Sequence, residues 1–224
     1  MTFHAITEEY ISQCLGEAKK PPTDDYDFSS LFTDKPRPAA VLIPLFHASI
    51  EDKQNHVWQV LLTRRTDAVA EHQGQVAFPG GRADPTDLSP ETTALREAHE
   101  EIGLDPLRVN ILGRMNRLQT ITNYCVTPIV GVIPWPFTIH LEESEVKRVF
   151  TIPLNWLVDP DHHEIRYRTI PQPFSQILHR ATHPVIYYLP YEDELLWGVS
   201  AEIILNFINI LDNKNMAGDL IARQ

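Results

Sequence analysis

The stretch from Gly74 to Leu104 constrains the fold of this 224-residue chain more than any other. It reads GQVAFPGGRADPTDLSPETTALREAHEEIGL, with a double glycine ahead of a segment that has clear helix-end signals. Ser89 is a favourable N-cap and Pro90 a favourable first helical residue, whereas Gly103 favours a left-handed C-cap. These signals predict a helix over Pro90 to Ile102.

The predicted helix carries three carboxylates within five residues, at Glu97, Glu100 and Glu101. At about 100° per residue they share one face of the helix. The apolar residues form a separate stripe: Leu95, Ala98 and Ile102. Neighbouring carboxylates repel one another, and a shared Mg²⁺ or Mn²⁺ ion relieves that repulsion while also binding phosphate oxygens. Seen alone, this spacing is also typical of a solvated acidic face.

Two neighbouring features favour the metal interpretation. Gly80 and Gly81 let backbone N–H groups approach an anion, so we expect them to contact the substrate. Arg96 lies beside the acids and can hold a carboxylate in a charge-assisted pair. We expect it to orient Glu97 or Glu101 rather than to touch substrate.

The mixture of strands and helices in the rest of the chain predicts α+β or α/β layering around one core. Apolar runs and alternation predict strands at 39–46, 57–64, 108–118, 126–133, 137–141, 149–152, 164–170 and 184–189. The first two strands read as a hairpin, the strand at 149–152 as a short edge, and the last two as a pair. An amphipathic helix is predicted at 199–211.

Residues 1–36 are predicted to form an N-terminal helix and arm, and residues 37–224 the main domain. A helix at about 5–18 is followed by a loop rich in proline and aspartate at 21–38. We find no chemistry in this arm, and a packing role or a homodimer contact are both open.

Composition narrows the partners and the compartment. The formal net charge of −11 disfavours nucleic acid as a partner, because binders of a phosphate backbone are commonly basic. No apolar run reaches the roughly 18 residues that a membrane helix needs. The two cysteines lie far apart in no metal-binding spacing, which indicates free thiols in a reducing cytoplasm.

From Gly81 to Leu104 the chain resembles the Nudix box, G-x5-E-x7-R-E-U-x-E-E-x-G-U, where U is aliphatic. The run from Arg96 to Leu104 matches in full. Asp87 stands where the first Glu is expected, and the interval to Arg96 is eight residues instead of seven. The first acid is mainly structural in this family, so the resemblance implies a lengthened loop with activity retained.

A second stretch resembles the signature of Nudix coenzyme A pyrophosphatases, L-L-T-x-R-[SA]-x3-R-x3-G-x3-F-P-G-G. It covers Leu61 to Thr66, then Gly74, then Phe78 to Gly81. Thr66 replaces the usual Ser or Ala, and Ala70 replaces the second Arg, which removes one phosphate contact. With further similarity downstream, the resemblance spans roughly residues 39–211.

The resemblance implies an α/β/α sandwich with the box helix and a C-terminal helix packed around a mixed sheet. It implies that Mg²⁺ or Mn²⁺ is held by Glu97 and Glu101, with Glu100 as a further ligand or reaching the ion through water. Arg65 is expected to meet a phosphate, and a surface charge at the strand end is equally open. The general base in this family is a loop residue outside the box or a glutamate of the box. Glu145, in the acidic loop Glu142-Glu143-Ser144-Glu145, is the external choice, with Glu143 and Glu142 behind it, and a solvated loop is equally open. The implied reaction splits the diphosphate of coenzyme A or its thioesters into 3′,5′-ADP and (acyl-)4′-phosphopantetheine.

Two other functions remain open at this point. One is a pyrophosphatase of the same fold that acts on another nucleoside diphosphate derivative, such as ADP-ribose. The other is a Nudix module that senses a nucleotide without hydrolysing it. The complete set of metal-binding glutamates argues against the sensor.

Overall fold

The computed structural model describes residues 6–18, 31–49, 56–67 and 74–212. In this part of the chain, eight strands form one mixed sheet. They are β1 (Arg37–Ser49), β2 (His56–Arg65), β3 (Val76–Ala77), β4 (Gly80–Arg82), β5 (Asn110–Arg114), β6 (Leu118–Gln119), β7 (Tyr124–Val132) and β8 (Val146–Pro153). The long β1 lies at the centre, antiparallel to β2 and β4 and parallel to β7. The predicted hairpin of the first two strands is confirmed.

Helices cover both faces of this sheet. They are α1 (Glu8–Glu17), α2 (Pro90–Ile102), α3 (Leu154–Leu157) and α5 (Gly198–Leu211), whereas α4 (Phe174–Ile177) is a short exposed turn of helix elsewhere in the chain. Because strand side chains alternate between faces, β1 directs Leu42 toward α2 and Ile43 toward α1 and α5. The result is the predicted α/β/α sandwich with a core on each side of the sheet.

Helix α2 has the bounds that its capping residues predict. The Ser89 hydroxyl accepts a hydrogen bond from the Thr92 N–H at 3.2 Å, and Gly103 ends the helix at φ 73°. Ala98 and Ile102 are fully buried against the sheet. Truncating a side chain such as Ile102 to alanine typically costs about 2–5 kcal/mol, so α2 is firmly seated.

The segment at 137–141 is irregular, and its prediction as a strand is wrong. Its backbone serves the end of α2 instead: the His140 N–H donates to the Ile102 carbonyl at 3.1 Å, and the Glu142 N–H donates to the Glu101 carbonyl at 3.0 Å. These bonds satisfy carbonyls that a helix end leaves unpaired. The segment therefore wraps the C-terminus of α2 and leads the chain toward the acidic loop.

Two further strand predictions need correction. The predicted strand at 108–118 is split into β5 and β6, and a 3-10 helical turn at Pro106–Arg108 precedes it. The predicted short edge strand at 149–152 is the eight-residue β8, which pairs along β2 from Gln59 to Arg65. This longer pairing carries the acidic loop to the end of β2.

A separate antiparallel pair, β9 (His163–Thr169) and β10 (Thr182–Tyr188), follows β8 and confirms the last predicted strand pair. Helix α5 confirms the closing helix. Helix α1 packs on the core, with Ile11 and Leu15 buried. The division at residue 36 and the homodimer stay predictions. No helix in the described ranges has both the length and the apolar character needed to span a membrane.

Candidate active site

The glycine pair lies directly against the carboxylates of α2. A Cβ atom added at Gly81 would lie 2.5 Å from the Glu97 Oε2 atom, so a side chain at this position would displace that carboxylate. The Gly80 N–H donates to the Glu101 Oε2 atom at 3.3 Å. Strand β4 therefore forms one wall of the acidic site. That these glycines also contact the substrate stays a prediction.

Glu101 is the most deeply buried carboxylate on α2. Its side chain is only 5% exposed. Burial raises the pKa of Glu101 to about 8, against the opposing effects of the Gly80 N–H and of Arg65. Burial also raises the pKa of Glu97, which the Arg96 guanidinium offsets in part. The charges of Glu97 and Glu145 raise the pKa of Glu101 further, so these carboxylates share one electrostatic environment.

Arg96 forms ion pairs with an aspartate of the lengthened loop and with two glutamates of α2. Its guanidinium pairs with Asp87 at 3.0 Å, with Glu97 at 2.9 Å and with Glu100 at 2.9 Å. We predicted that Arg96 would orient Glu97 or Glu101; the structure places it on Glu97, whereas Glu101 is held by Gly80. The Arg96 hydrogen bonds lower the pKa of Asp87 to about 2.

The loop before α2 bends so that Asp87 reaches Arg96 despite the additional residue. The Asp87 N–H donates to the Asp84 carbonyl at 2.9 Å, and the Asp84 N–H donates to the Asp87 carboxylate at 2.9 Å. Asp87 also accepts from the Thr93 hydroxyl at 2.9 Å. Leu88 projects into solvent with 95% exposure, which accommodates the longer chain. Asp87, which is shorter than the glutamate of the family pattern, thus reaches Arg96 because the loop bends.

Arg65 lies at the end of β2 beside the carboxylates, with its guanidinium 3.8 Å from the Glu101 carboxylate. Its role in meeting a substrate phosphate stays a prediction. The adjacent Thr66 holds the acidic loop: its N–H donates to the Glu145 carbonyl at 2.9 Å and its hydroxyl to the Ser144 carbonyl at 3.0 Å. The exposed Glu145 side chain is therefore anchored through its backbone near Glu97 and Glu101.

The donor set fits a hard divalent cation. Glu97 and Glu101 supply oxygen ligands of the type that Mg²⁺ and Mn²⁺ prefer, and within the described ranges Glu101 forms an ion pair with Arg65 alone, at 3.8 Å. Among the described residues no three His, Cys, Asp or Glu side chains converge in a ready-made metal cluster. The reason is local, because Glu97 and Glu100 are turned toward Arg96 and Glu101 toward Gly80. Glu100 is the most exposed of the three, at 56%.

Two cavities in the described ranges lie away from these carboxylates. One of about 230 Å³ is lined at the C-terminal end of α2 by Gly103, Arg108 and His140 among others. The other, of about 270 Å³, is lined by residues of the connection between β9 and β10. Neither of these two cavities is lined by a predicted site residue.

One buried charged residue near the site was missed by sequence reasoning. Glu194 is 4% exposed and pairs with Arg64 at 2.8 Å and with Arg148 at 2.6 Å. Arg64 and Glu194 are 130 residues apart, so no local spacing connects them. The signal in the sequence was the presence of Arg64 and Arg148 at or beside the ends of two predicted strands. Two arginines that face each other need a carboxylate, but the sequence does not indicate which one.

Comparison with known proteins agrees with this geometry. Residues 36–173 match the NUDIX domain family. The chain is 37% identical over 202 residues to proteins described as uncharacterized Nudix hydrolase NudL in Yersinia pestis (strain Pestoides F) and in Yersinia pseudotuberculosis serotype O:1b (strain IP 31758). Each alignment covers 89% of this chain and 94% of the relative.

A solved structure supports the fold. The crystal structure of a MutT/nudix family protein from Enterococcus faecalis has a TM-score of 0.50 and 18% sequence identity, covering 82% of this chain and 64% of that chain. At this identity the similarity concerns the architecture alone. The matching domain and the curated relatives carry the assignment: this chain belongs to the Nudix family and is a Nudix hydrolase.

Proposed function

We propose that the protein hydrolyses the diphosphate bond of coenzyme A or its derivatives, releasing 3′,5′-ADP and (acyl-)4′-phosphopantetheine. The supporting observation is the contact between two sequence motifs. Arg65, from the stretch that resembles the coenzyme A pyrophosphatase signature, lies 3.8 Å from Glu101 of the Nudix box. A residue of the stretch that resembles the substrate signature thus lies beside the carboxylates that we expect to bind the metal ion.

The two departures from that signature affect the proposal differently. Thr66 retains a defined role, since its hydroxyl donates to the Ser144 carbonyl and holds the acidic loop. Ala70 falls outside the described residues. The coenzyme A proposal therefore depends on Arg65 and on the spacing to Gly80 and Gly81, with one phosphate contact fewer than the signature provides.

Glu97 and Glu101 are the residues that would hold Mg²⁺ or Mn²⁺, with Glu100 reaching the ion directly or through water. When bound, such an ion lowers the pKa of water and neutralises charge that develops on the phosphoryl oxygens. Arg96 holds Glu97 in place. Arg65 and the Gly80-Gly81 turn would orient the diphosphate against the carboxylates.

The reaction also requires a group that accepts a proton from the attacking water. Glu145 is our choice, because its carboxylate is exposed and lies close enough to raise the pKa of both Glu97 and Glu101. Water adds to one phosphorus, its proton passes to a Glu145 carboxylate oxygen, and the bond from that phosphorus to the bridging oxygen breaks. The leaving phosphate carries the electron pair of that bond.

The test is a product analysis on the purified protein. It is incubated with Mg²⁺ or Mn²⁺ and, separately, coenzyme A, an acyl-coenzyme A, NADH and ADP-ribose, and products are identified by mass. We expect 3′,5′-ADP from the coenzyme A compounds and about 100-fold less or none from a Glu97→Gln control. Cleavage of ADP-ribose alone would overturn the coenzyme A proposal, and binding of nucleotides with no cleavage would indicate a sensor.

A further inference from the structure

Glu194 lies outside residues 36–173, which match the Nudix domain, yet it contacts two strands of the central sheet. Its carboxylate accepts from Arg64 Nη1 at 2.8 Å and from Arg148 Nε at 2.7 Å. A tight turn presents it, with Glu192 and Asp193 at φ 48° and 67°. The N–H groups of Tyr191 and Glu194 each donate to the carbonyl of the other residue across this turn. The backbone therefore fixes the position of this buried carboxylate.

The two arginines lie opposite each other on β2 and β8, immediately before a register shift. Arg64 is paired with Arg148, and the next pair is Arg65 with Val146, so the shift falls between Arg64 and Arg65. The additional residue is Lys147 of β8, and an additional residue of this kind bends the strand that carries it and changes how the two strand ends face each other. The shift therefore lies beside Arg65, whose guanidinium is 3.8 Å from the Glu101 carboxylate, and at the start of β8, which follows Glu145.

We propose that Glu194 is a positioning residue for the hydrolytic site. By neutralising Arg64 and Arg148 together, it holds the ends of β2 and β8 in the shifted register that aims Arg65 at Glu101. Glu194 acts through these arginines and touches neither substrate nor metal. The inference rests on the proposed function only for the choice of an assay substrate.

A full negative charge is needed for this role. Two guanidinium groups on opposed residues repel each other, and they share Glu194 at separations of 2.8 and 2.6 Å. A glutamine keeps the shape but offers one neutral oxygen acceptor, and its NH2 donor replaces the second carboxylate oxygen, so one arginine loses its partner. An aspartate keeps the charge with a shorter reach. Comparing the two substitutions therefore shows whether the charge or the length of the Glu194 side chain is required.

The activity arm compares Glu194→Gln with Glu164→Gln. Glu164 lies on β9, is exposed, and pairs with Arg166 away from the central sheet. We expect Glu194→Gln to lower kcat about 10- to 100-fold per folded molecule, because small misplacements of site groups have effects of this size. Glu164→Gln should retain the wild-type kcat, and Glu194→Asp should recover part of the loss. The fraction of protein that is folded at the assay temperature is read from a thermal melting curve of each variant.

A second arm needs no substrate. In protein labelled with ¹⁵N-arginine, the Nε–Hε signal of Arg65 should move in Glu194→Gln and stay in place in Glu164→Gln. If Glu194→Gln does not fold, Arg148→Gln removes part of the same salt bridge between Glu194 and the two arginines. This loss is better tolerated, because the Arg148 side chain is 45% exposed. The substitution should shift the Arg65 signal in the same way.

The outcomes separate the two proposals. A wild-type protein that cleaves no coenzyme A compound contradicts the proposed function, and the Arg65 signal then decides the role of Glu194 alone. Active wild type together with a Glu194→Gln variant that keeps its kcat and its Arg65 signal, and loses only melting temperature, would overturn the positioning role.

Discussion

Two buried carboxylates on either face of β2 have opposite electrostatic surroundings. Glu101 and Glu194 are each 4% exposed, and each pairs with one of the consecutive residues Arg65 and Arg64. Glu194 is matched by two guanidinium groups within 2.8 Å. Glu101 has one guanidinium at 3.8 Å and a backbone N–H at 3.3 Å. The same strand therefore serves a neutralised carboxylate on one face and an under-neutralised one on the other.

The difference indicates which carboxylate is structural and which is functional. Burying a carboxylate without a matching charge is costly, and the pKa of Glu101 rises to about 8 as a result. Such a group is satisfied by a proton or by a cation that arrives with the substrate. The charge of Glu194 is already neutralised by two arginines, so this carboxylate needs no further cation. Glu194 therefore maintains the geometry around Glu101.

Removing a proposed metal ligand should have the largest effect. Glu97→Gln should lower kcat about 100-fold or more, since metal stabilisation of charge in the transition state contributes several kcal/mol. Its melting temperature should not fall. The measurement is a steady-state rate in Mg²⁺, with Glu91→Gln on the same helix as control, because Glu91 only approaches Arg114 at 3.9 Å. Full activity of Glu97→Gln would show that Glu97 holds no essential metal.

Stability without metal should distinguish the two buried carboxylates. In the presence of EDTA, Glu194→Gln should lose about 2–3 kcal/mol, because a matched ion pair is broken and its arginines are only partly solvated. That corresponds to roughly 4–12 °C in Tm for a chain of this size. Glu101→Gln should stay within about 1 kcal/mol of wild type or gain stability, because an under-neutralised carboxylate is removed.

Thermal melting of the two variants side by side checks this prediction. Equal losses in Glu101→Gln and Glu194→Gln would erase the distinction between a functional and a structural carboxylate.

The neighbouring Asp87–Arg96 pair provides a smaller, pH-dependent test. The pKa of Asp87 is lowered from 3.8 to about 2 by Arg96, so its stabilising contribution is present above pH 4 and is lost as the pH falls toward 2. Asp87→Asn should therefore cost on the order of 1–2 kcal/mol at pH 7, and the difference from wild type should shrink between pH 4 and pH 2. Urea unfolding across that range measures it. A difference that is constant with pH would contradict this assignment.

Local signals in the sequence predicted α2 well, because its ends depend on neighbouring residues. Ser89, Pro90 and Gly103 set the helix bounds without help from tertiary contacts. The segment at 137–141 was predicted wrongly for the opposite reason. Its alternation resembles a strand, but its N–H groups are taken by the terminal carbonyls of α2, and that competition is invisible in a local window.

The site shows the same division between local and distant information. The spacing of Glu97, Glu100 and Glu101 along one helix predicted a common acidic face, but not that Glu100 would be exposed and Glu101 buried. That difference arises from β4, which covers one side of the helix. The role of Glu194 could not be predicted, because its partners lie on strands far away in sequence.

The most direct test of the contrast between the two carboxylates is Mn²⁺ binding, measured by calorimetry at pH 7 with wild type, Glu101→Gln and Glu194→Gln. We predict that wild type and Glu194→Gln bind Mn²⁺ with similar affinity, and that Glu101→Gln binds about 10-fold more weakly or not at all, because a ligand oxygen and its charge are lost. Equal Mn²⁺ affinity in wild type and Glu101→Gln, or no binding to any of them, would contradict the assignment of Glu101 as the cation-binding carboxylate.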